Sequence, residues 1–171
     1  MDEVILVPYD PSWPERFSQE AALLRSVLPA ALPTRIEHFG STAVAGLQAK
    51  PIIDILLGVT SVDEARENAV PILETLGYSY WSADPRRDRL FLVKGLPPNG
   101  PRSHHLHIVE PGSADWERLL FRDYLRANPD EAQRYAALKH EWADLYFGDR
   151  EAYTDAKTEY VRYVTELARG P

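Results

Sequence analysis

One acidic residue inside an apolar run constrains this chain more than any other feature. After Pro51, the run Ile52-Ile53-Asp54-Ile55-Leu56-Leu57 is rich in branched residues and too short for a lone helix, so it reads as a buried strand. An ionised carboxylate placed there without a partner is strongly destabilising. Asp54 therefore requires a metal ion, a basic partner, or a place at the strand end where the sheet opens into a cleft. Upstream, Gly40-Ser41-Thr42 offers what a phosphate needs: a flexible glycine, hydroxyl donors, and backbone N–H groups turning into a short helix. A phosphate cradle followed by a carboxylate points to metal-assisted phosphoryl or nucleotidyl chemistry.

The 171 residues suffice for one domain with a real core, or for a small α/β body with a helical extension. A composition of 44% apolar and 26% charged residues is that of a soluble globular protein. No segment approaches the roughly 18 consecutive apolar residues of a membrane span. The N-terminus lacks a basic region and a cleavage signal, so no export peptide is expected and the cytoplasm is the expected location. With no cysteine, thiolate catalysis and sulfur-based zinc sites are excluded. The formal charge of −7 argues against bulk nucleic-acid binding, which relies on a basic face. A small nucleotide or phosphorylated molecule needs only a local basic cluster.

Along the chain, Val4–Tyr9 is a short β-like run. Ser12 and Pro14 then open a helix whose stripe is Phe17, Ala21, Leu24 and Leu28, closed by Pro29 and Pro33. Thr34–Phe39 reads as a strand, followed by the Gly-Ser-Thr turn and the Asp54 strand ending at Gly58. Thr60 or Ser61 caps a second helix reaching Leu76, with a kink or break at Pro71 and a stop at Gly77. Tyr78–Ser82 and Arg89–Lys94 are strands joined by the turn Ala83–Asp88. Gly95–Pro101 is a loop, and His104–Glu110 alternates as a strand. Three helices follow: Ser113 to Ala127, Pro129 or Asp130 to Phe147, and Arg150 to Ala168. Helix, mixed sheet, then helical tail predicts an α+β fold.

Several ordered segments carry a family resemblance. They are Tyr9-Asp10-Pro11-Ser12-Trp13, Ile36-Glu37-His38-Phe39-Gly40-Ser41-Thr42, and Lys50-Pro51-Ile52-Ile53-Asp54-Ile55. Further on come Gly77-Tyr78, His105-Leu106-His107, Phe121-Arg122-Asp123-Tyr124-Leu125-Arg126, and the pairs Tyr135…Lys139 and Tyr153…Lys157. The chain resembles the GrpB (UPF0157) family, which is grouped with proteins of the nucleotidyltransferase fold. The resemblance implies a nucleotidyltransferase-like mixed sheet with flanking helices over residues 1–112. It places C-terminal helices over 113–171, packed on that core as one compact unit.

In the wider superfamily a Gly-Ser pair precedes two acidic residues one position apart, which hold Mg²⁺ with a third acid from a later strand. Gly40-Ser41 and Asp54 match, but Leu56 stands where the second acid would be. Mg²⁺ or Mn²⁺ is the cofactor this resemblance implies, and losing one carboxylate weakens such a site without forbidding it.

On a strand, His105 and His107 project from one face. Were that strand a neighbour of the Asp54 strand, the imidazoles and the carboxylate would form a metal set suited to Mn²⁺, Fe²⁺ or Zn²⁺. His38 is a candidate third imidazole and Glu37 a candidate substitute carboxylate, whereas His104 reads as surface. Arg118, Arg122 and Arg126 form one helical stripe, either a solvated face or a guanidinium clamp for phosphate with Arg122 foremost. Lys50 is either a solvated loop lysine or a cleft residue. Lys139 and Lys157 either cover Tyr135 and Tyr153 with their stems or contact a ligand.

These residues support a nucleotidyltransferase that moves a nucleoside monophosphate from NTP to an unknown acceptor. In it, Asp54 holds the metal, His107 takes a catalytic part, and Gly40, Ser41, Thr42, Lys50, Arg122, Lys139 and Lys157 bind substrate. Two other readings stand beside it: a histidine-centred phosphoesterase, and a non-catalytic module binding a nucleotide or phosphorylated metabolite. The sequence leaves the acceptor, base preference and oligomeric state open.

Overall fold

The computed structural model describes residues 5–96 and 100–170. Val4, at the start of the first β-like run, and the middle of the Gly95–Pro101 loop lie outside the described residues. Strands β1 (Pro33–Phe39), β2 (Ile53–Val59), β3 (Tyr78–Tyr80), β4 (Arg89–Lys94) and β5 (His104–Val109) form one sheet. Its order is β1-β2-β5-β4-β3. The β2–β5 pair is parallel and every other neighbouring pair antiparallel. Six described helices flank it: α1 (Trp13–Val27), α2 (Val62–Asn68), α3 (Val70–Thr75), α4 (Arg118–Ala127), α5 (Pro129–Leu145) and α6 (Arg150–Arg169). The architecture is α+β, as the pattern predicts.

Strand β2 sits inside the sheet and is covered on both faces, which is why its sequence is apolar nearly throughout. One face, carrying Ile53, Ile55 and Leu57 with Leu106, Ile108, Leu90 and Leu92, packs on α1, α2 and α3. Each of these side chains is wholly buried, and full burial of an aliphatic side chain contributes about 1.5–3 kcal/mol. The opposite face carries Phe39, Leu56 and Val109 against Leu119 of α4. Helices α4, α5 and α6 close a further cluster over Val44 and Leu47, from the segment after the Gly40 turn. Residues of the expected core and of the C-terminal helices thus share buried clusters.

Local signals explain most boundaries. Ser61 accepts a hydrogen bond from the Glu64 N–H at 3.2 Å and starts α2. The expected single helix to Leu76 breaks between Asn68 and Val70, just before Pro71, whose ring suits a helix start and not its interior. Three expectations need correction. Strand β3 ends at Tyr80 rather than Ser82, because the following residues turn away toward Asp84. The helix expected from Ser113 begins at Arg118, after turns at Ser113–Glu117. Of the β-like run before Tyr9, the described part makes a single bridge, Val7 to Ala49.

Candidate functional site

Asp54, the second residue of β2, points to the face covered by α4–α6, and its side chain is 29% exposed. The register sets Phe39 of β1 on one side of it and His105 of β5 on the other. The backbone turns at Gly40 with φ +73°, directly against this carboxylate. A Cβ on Gly40 would lie 2.6 Å from Asp54 Oδ2, so the turn requires glycine for space as well as for its left-handed φ. The His105 ring donates from Nδ1 to Asp54 Oδ1 at 3.2 Å. Burial pushes the Asp54 carboxyl up, but the hydrogen bond from His105 and the nearby Lys157 hold it below the usual carboxylate value. Asp54 is therefore ionised.

Cations converge on it from helices distant in sequence. Lys139 of α5 is 2% exposed, and its Nζ donates to Ser41 Oγ at 3.2 Å and to the Gln48 carbonyl. The same Nζ lies 4.9 Å from the centroid of the Tyr135 ring. Burial, reinforced by the charge of Lys157, lowers Lys139 to about 7. Lys157 of α6 is lowered too, chiefly by burial. Lys50 Nζ stands 5.7 Å over the Tyr153 ring at the same opening.

Two adjoining cavities surround these groups. One of about 120 Å³ is lined by Ser41, Thr42, Lys50, Lys139 and Lys157; the other, of about 190 Å³, by Gly40, His107, Arg118 and Tyr135. Asp54, Ser41, His105 and Lys157 belong to both walls. Each is smaller than the roughly 300 Å³ at which ordinary small-molecule pockets begin, so each suits one anionic group at a time. Among the described residues, His105 Nε2 and His107 Nδ1 are buried without a hydrogen-bond partner. Both rings line the 190 Å³ cavity, and unpaired buried polar atoms of this kind mark where water or a ligand belongs.

The structure sorts the remaining candidates. His107 shares the Asp54 face but packs against Phe39 and Phe91, with ring centroids 5.1 and 4.8 Å away. Burial lowers it to about 3, so it is neutral. His38 lies on the opposite face, contrary to its place as a third imidazole. It stacks on Phe17 at 4.9 Å, and its Nε2 meets Thr42 Oγ1 at 2.9 Å, which braces the turn. Glu37 shares the Asp54 face, yet its carboxylate is held by Arg122 at 2.7 Å and by Arg35.

Arg122 itself is 8% exposed; it bonds Glu37, the His38 carbonyl at 2.8 Å, and Asp123. It does not line either cavity. Arg126 donates to the Ala43 carbonyl. Of the arginine stripe only Arg118 reaches the Asp54 cavities, where sequence reasoning had put Arg122 first. Nothing in the even spacing distinguishes it; its position follows from where α4 begins. Phe91, another wall residue missed in the sequence, depends on strand register.

The donor set does not fit a divalent ion. Asp54 offers one carboxylate, Leu56 two residues on lies within an apolar cluster, and Glu37 is tied to arginines. Among the described residues no three Asp, Glu or His side chains come together closely enough to hold a metal. The neighbours of Asp54 are instead cations and a His105 ring already bonded to it, an arrangement suited to anions.

Comparison with known proteins agrees with the segments that first suggested kinship. The profile described as "GrpB protein" matches residues 3–167. A UPF0157 protein of Pseudomonas aeruginosa is 49% identical over 94% of this chain, which spans 65% of that protein's length. The crystal structure of the conserved protein GrpB from Enterococcus faecalis superposes with a TM-score of 0.82, at 33% identity and 96% coverage of both chains. A dephospho-CoA kinase of Mycolicibacterium paratuberculosis is 28% identical over 94% of this chain and 44% of its own length. The chain belongs to the GrpB protein family.

Proposed function

We propose that this protein binds the phosphate end of a nucleotide in the paired cavities and transfers the nucleoside monophosphate to an acceptor. One observation carries the reading: the ionised Asp54 sits between two anion-sized cavities walled by Ser41, Lys139, Lys157 and Arg118. Phosphoryl chemistry needs positioning and neutralisation of charge more than covalent help from the protein. Two ammonium groups and a guanidinium supply that neutralisation. Asp54 orients His105 through Nδ1, and the ring's unpaired Nε2, buried in the cavity wall, serves as the base. There Nε2 accepts the proton of the acceptor hydroxyl, whose oxygen bonds to the α-phosphorus. The bond from that phosphorus to the bridging oxygen breaks, and pyrophosphate leaves with the electron pair. The name dephospho-CoA kinase, borne by a relative, denotes phosphoryl transfer and is in keeping with a phosphate site.

The Asp54–His105 pair also favours a second reading, in which water is the acceptor and the reaction is hydrolysis of a phosphoester. Nucleotides incubated with and without a panel of hydroxyl acceptors separate the two: nucleotidylated product supports transfer, and free monophosphate in every case supports hydrolysis. Asp54→Asn is expected to abolish either turnover while the circular dichroism spectrum stays native. Full activity of Asp54→Asn would overturn both.

A further inference from the structure

The 190 Å³ cavity does not end at Arg118. Arg118 and Val161 also wall a wider cleft of about 460 Å³ between α4, α6 and the segment leading into β4. Five arginines line it, Arg86, Arg89, Arg118, Arg162 and Arg169, against three carboxylates, those of Asp115, Glu117 and Glu166. Arg86 and Arg89 are also paired with Asp88 and Asp84, and Arg169 with Glu117 and Glu166, which leaves Arg162 and the loosely held Arg118 as the cleft's least committed cations.

The cleft is braced from within. Asp115 is 5% exposed, and guanidinium nitrogens of Arg86, Arg89 and Arg118 lie 3.0, 3.6 and 3.9 Å from its oxygens. Arg86 and Arg89 are held further by Asp88 and Asp84, and Asp115 draws all three guanidinium groups together, each with five N–H donors of which only some are used here. Arg162 has no ion-pair partner among the described residues. Planar forks held in place beside an uncommitted arginine are what bidentate recognition of phosphate needs.

We propose that the cleft binds the acceptor, and that the acceptor is a phosphate monoester. Its dianionic phosphate meets the two least committed guanidinium groups, those of Arg162 and Arg118. Its hydroxyl reaches past Arg118 toward His105 Nε2. This inference rests on the transfer reading above for the acceptor's role, but the phosphate site itself can be tested apart from it.

The test is calorimetry with inorganic pyrophosphate on the whole chain. Two sites are expected, one lost in Lys157→Met and the other in Arg162→Glu. Should Arg162→Glu lose its native circular dichroism, Arg162→Gln replaces it, with an expected weakening of about tenfold at one site, the scale of one charge-assisted contact. A single site, lost in Lys157→Met and untouched by Arg162→Glu, would overturn the cleft and leave the Asp54 reading standing. A single site lost only in Arg162→Glu would support the cleft and overturn the Asp54 reading. Succinate binding as tightly as pyrophosphate at the Arg162 site would overturn the assignment to phosphate.

Discussion

Gly40 and Asp54 are fitted to one another: a Cβ on Gly40 would stand 2.6 Å from Asp54 Oδ2, so only a hydrogen fits beside the carboxylate. Gly40→Ala therefore combines an unfavourable φ with a collision. Backbone strain of this kind costs roughly 1–3 kcal/mol, and displacement of Asp54 adds to it. Urea denaturation should show a loss of at least that size, reduced when Asp54→Ala is made in the same chain. An additive pair of variants would mean that the two residues do not meet.

Leu56 stands two residues after Asp54 on the same face of β2. It is wholly buried among Phe39, Val109 and Leu119. Leu56→Asp would set a charge among apolar side chains without a partner, at a cost of about 3–5 kcal/mol, by analogy with a broken buried pair. The expected result is a large drop in the denaturation midpoint with no gain of Mn²⁺ binding by calorimetry. A stable variant that binds Mn²⁺ tightly would show a metal site that lacks only one ligand.

Lys139 makes stability depend on pH in the alkaline direction. Its amine is lowered to about 7 in the folded chain by burial and by Lys157, whereas an unfolded lysine titrates near 10.4. Between those values the unfolded chain holds a proton that the native chain has released, so stability rises with pH, by at most about 1.4 kcal/mol per unit. The contribution is complete above the unfolded value and lost as pH falls toward 7. Denaturation of the wild type and Lys139→Met near pH 7 and near pH 9 should show this slope only in the wild type. Pyrophosphate binding should run the opposite way, weakening above about pH 7 as the ammonium is lost.

Acid acts through the buried imidazoles. Burial lowers His107 to about 3 and His38 to about 4, while unfolded histidine titrates near 6.5. Below about 6.5 the unfolded chain gains protons that the native chain refuses, so stability falls until about pH 4 and below. Burial lowers His104 to about 4 as well, so His107→Phe keeps the aromatic contacts with Phe39 and Phe91 and removes one of three protons. Its stability should decline less steeply with acid than that of the wild type; an unchanged slope would mean that His107 is already protonated in the native state.

Strands and helices were legible wherever period and punctuation agreed, as in the stretch from Asp54 to Leu57 or at Ser61. The carboxylate's need for a positive companion was legible too, because it follows from the apolar neighbours of Asp54 alone. What could not be read was which of several equivalent side chains would answer it. Arg118, Arg122 and Arg126 are equally spaced, and only the docking of α4 gives the first to the cavity, the second to Glu37 and the third to Ala43. Likewise His38 and Glu37 alternate on β1, but the face each takes depends on pairing with β2, which is set over long range.

Lys139 and Lys157 sit on the last two helices, far along the chain from the acid they neutralise. During synthesis the sheet with Asp54 emerges before α5 and α6, and its acid has only His105 as a partner until those two helices have settled. A bound anion would then act as a clasp between segments far apart in sequence, so that the ligand and the docked helices protect each other from proteolysis.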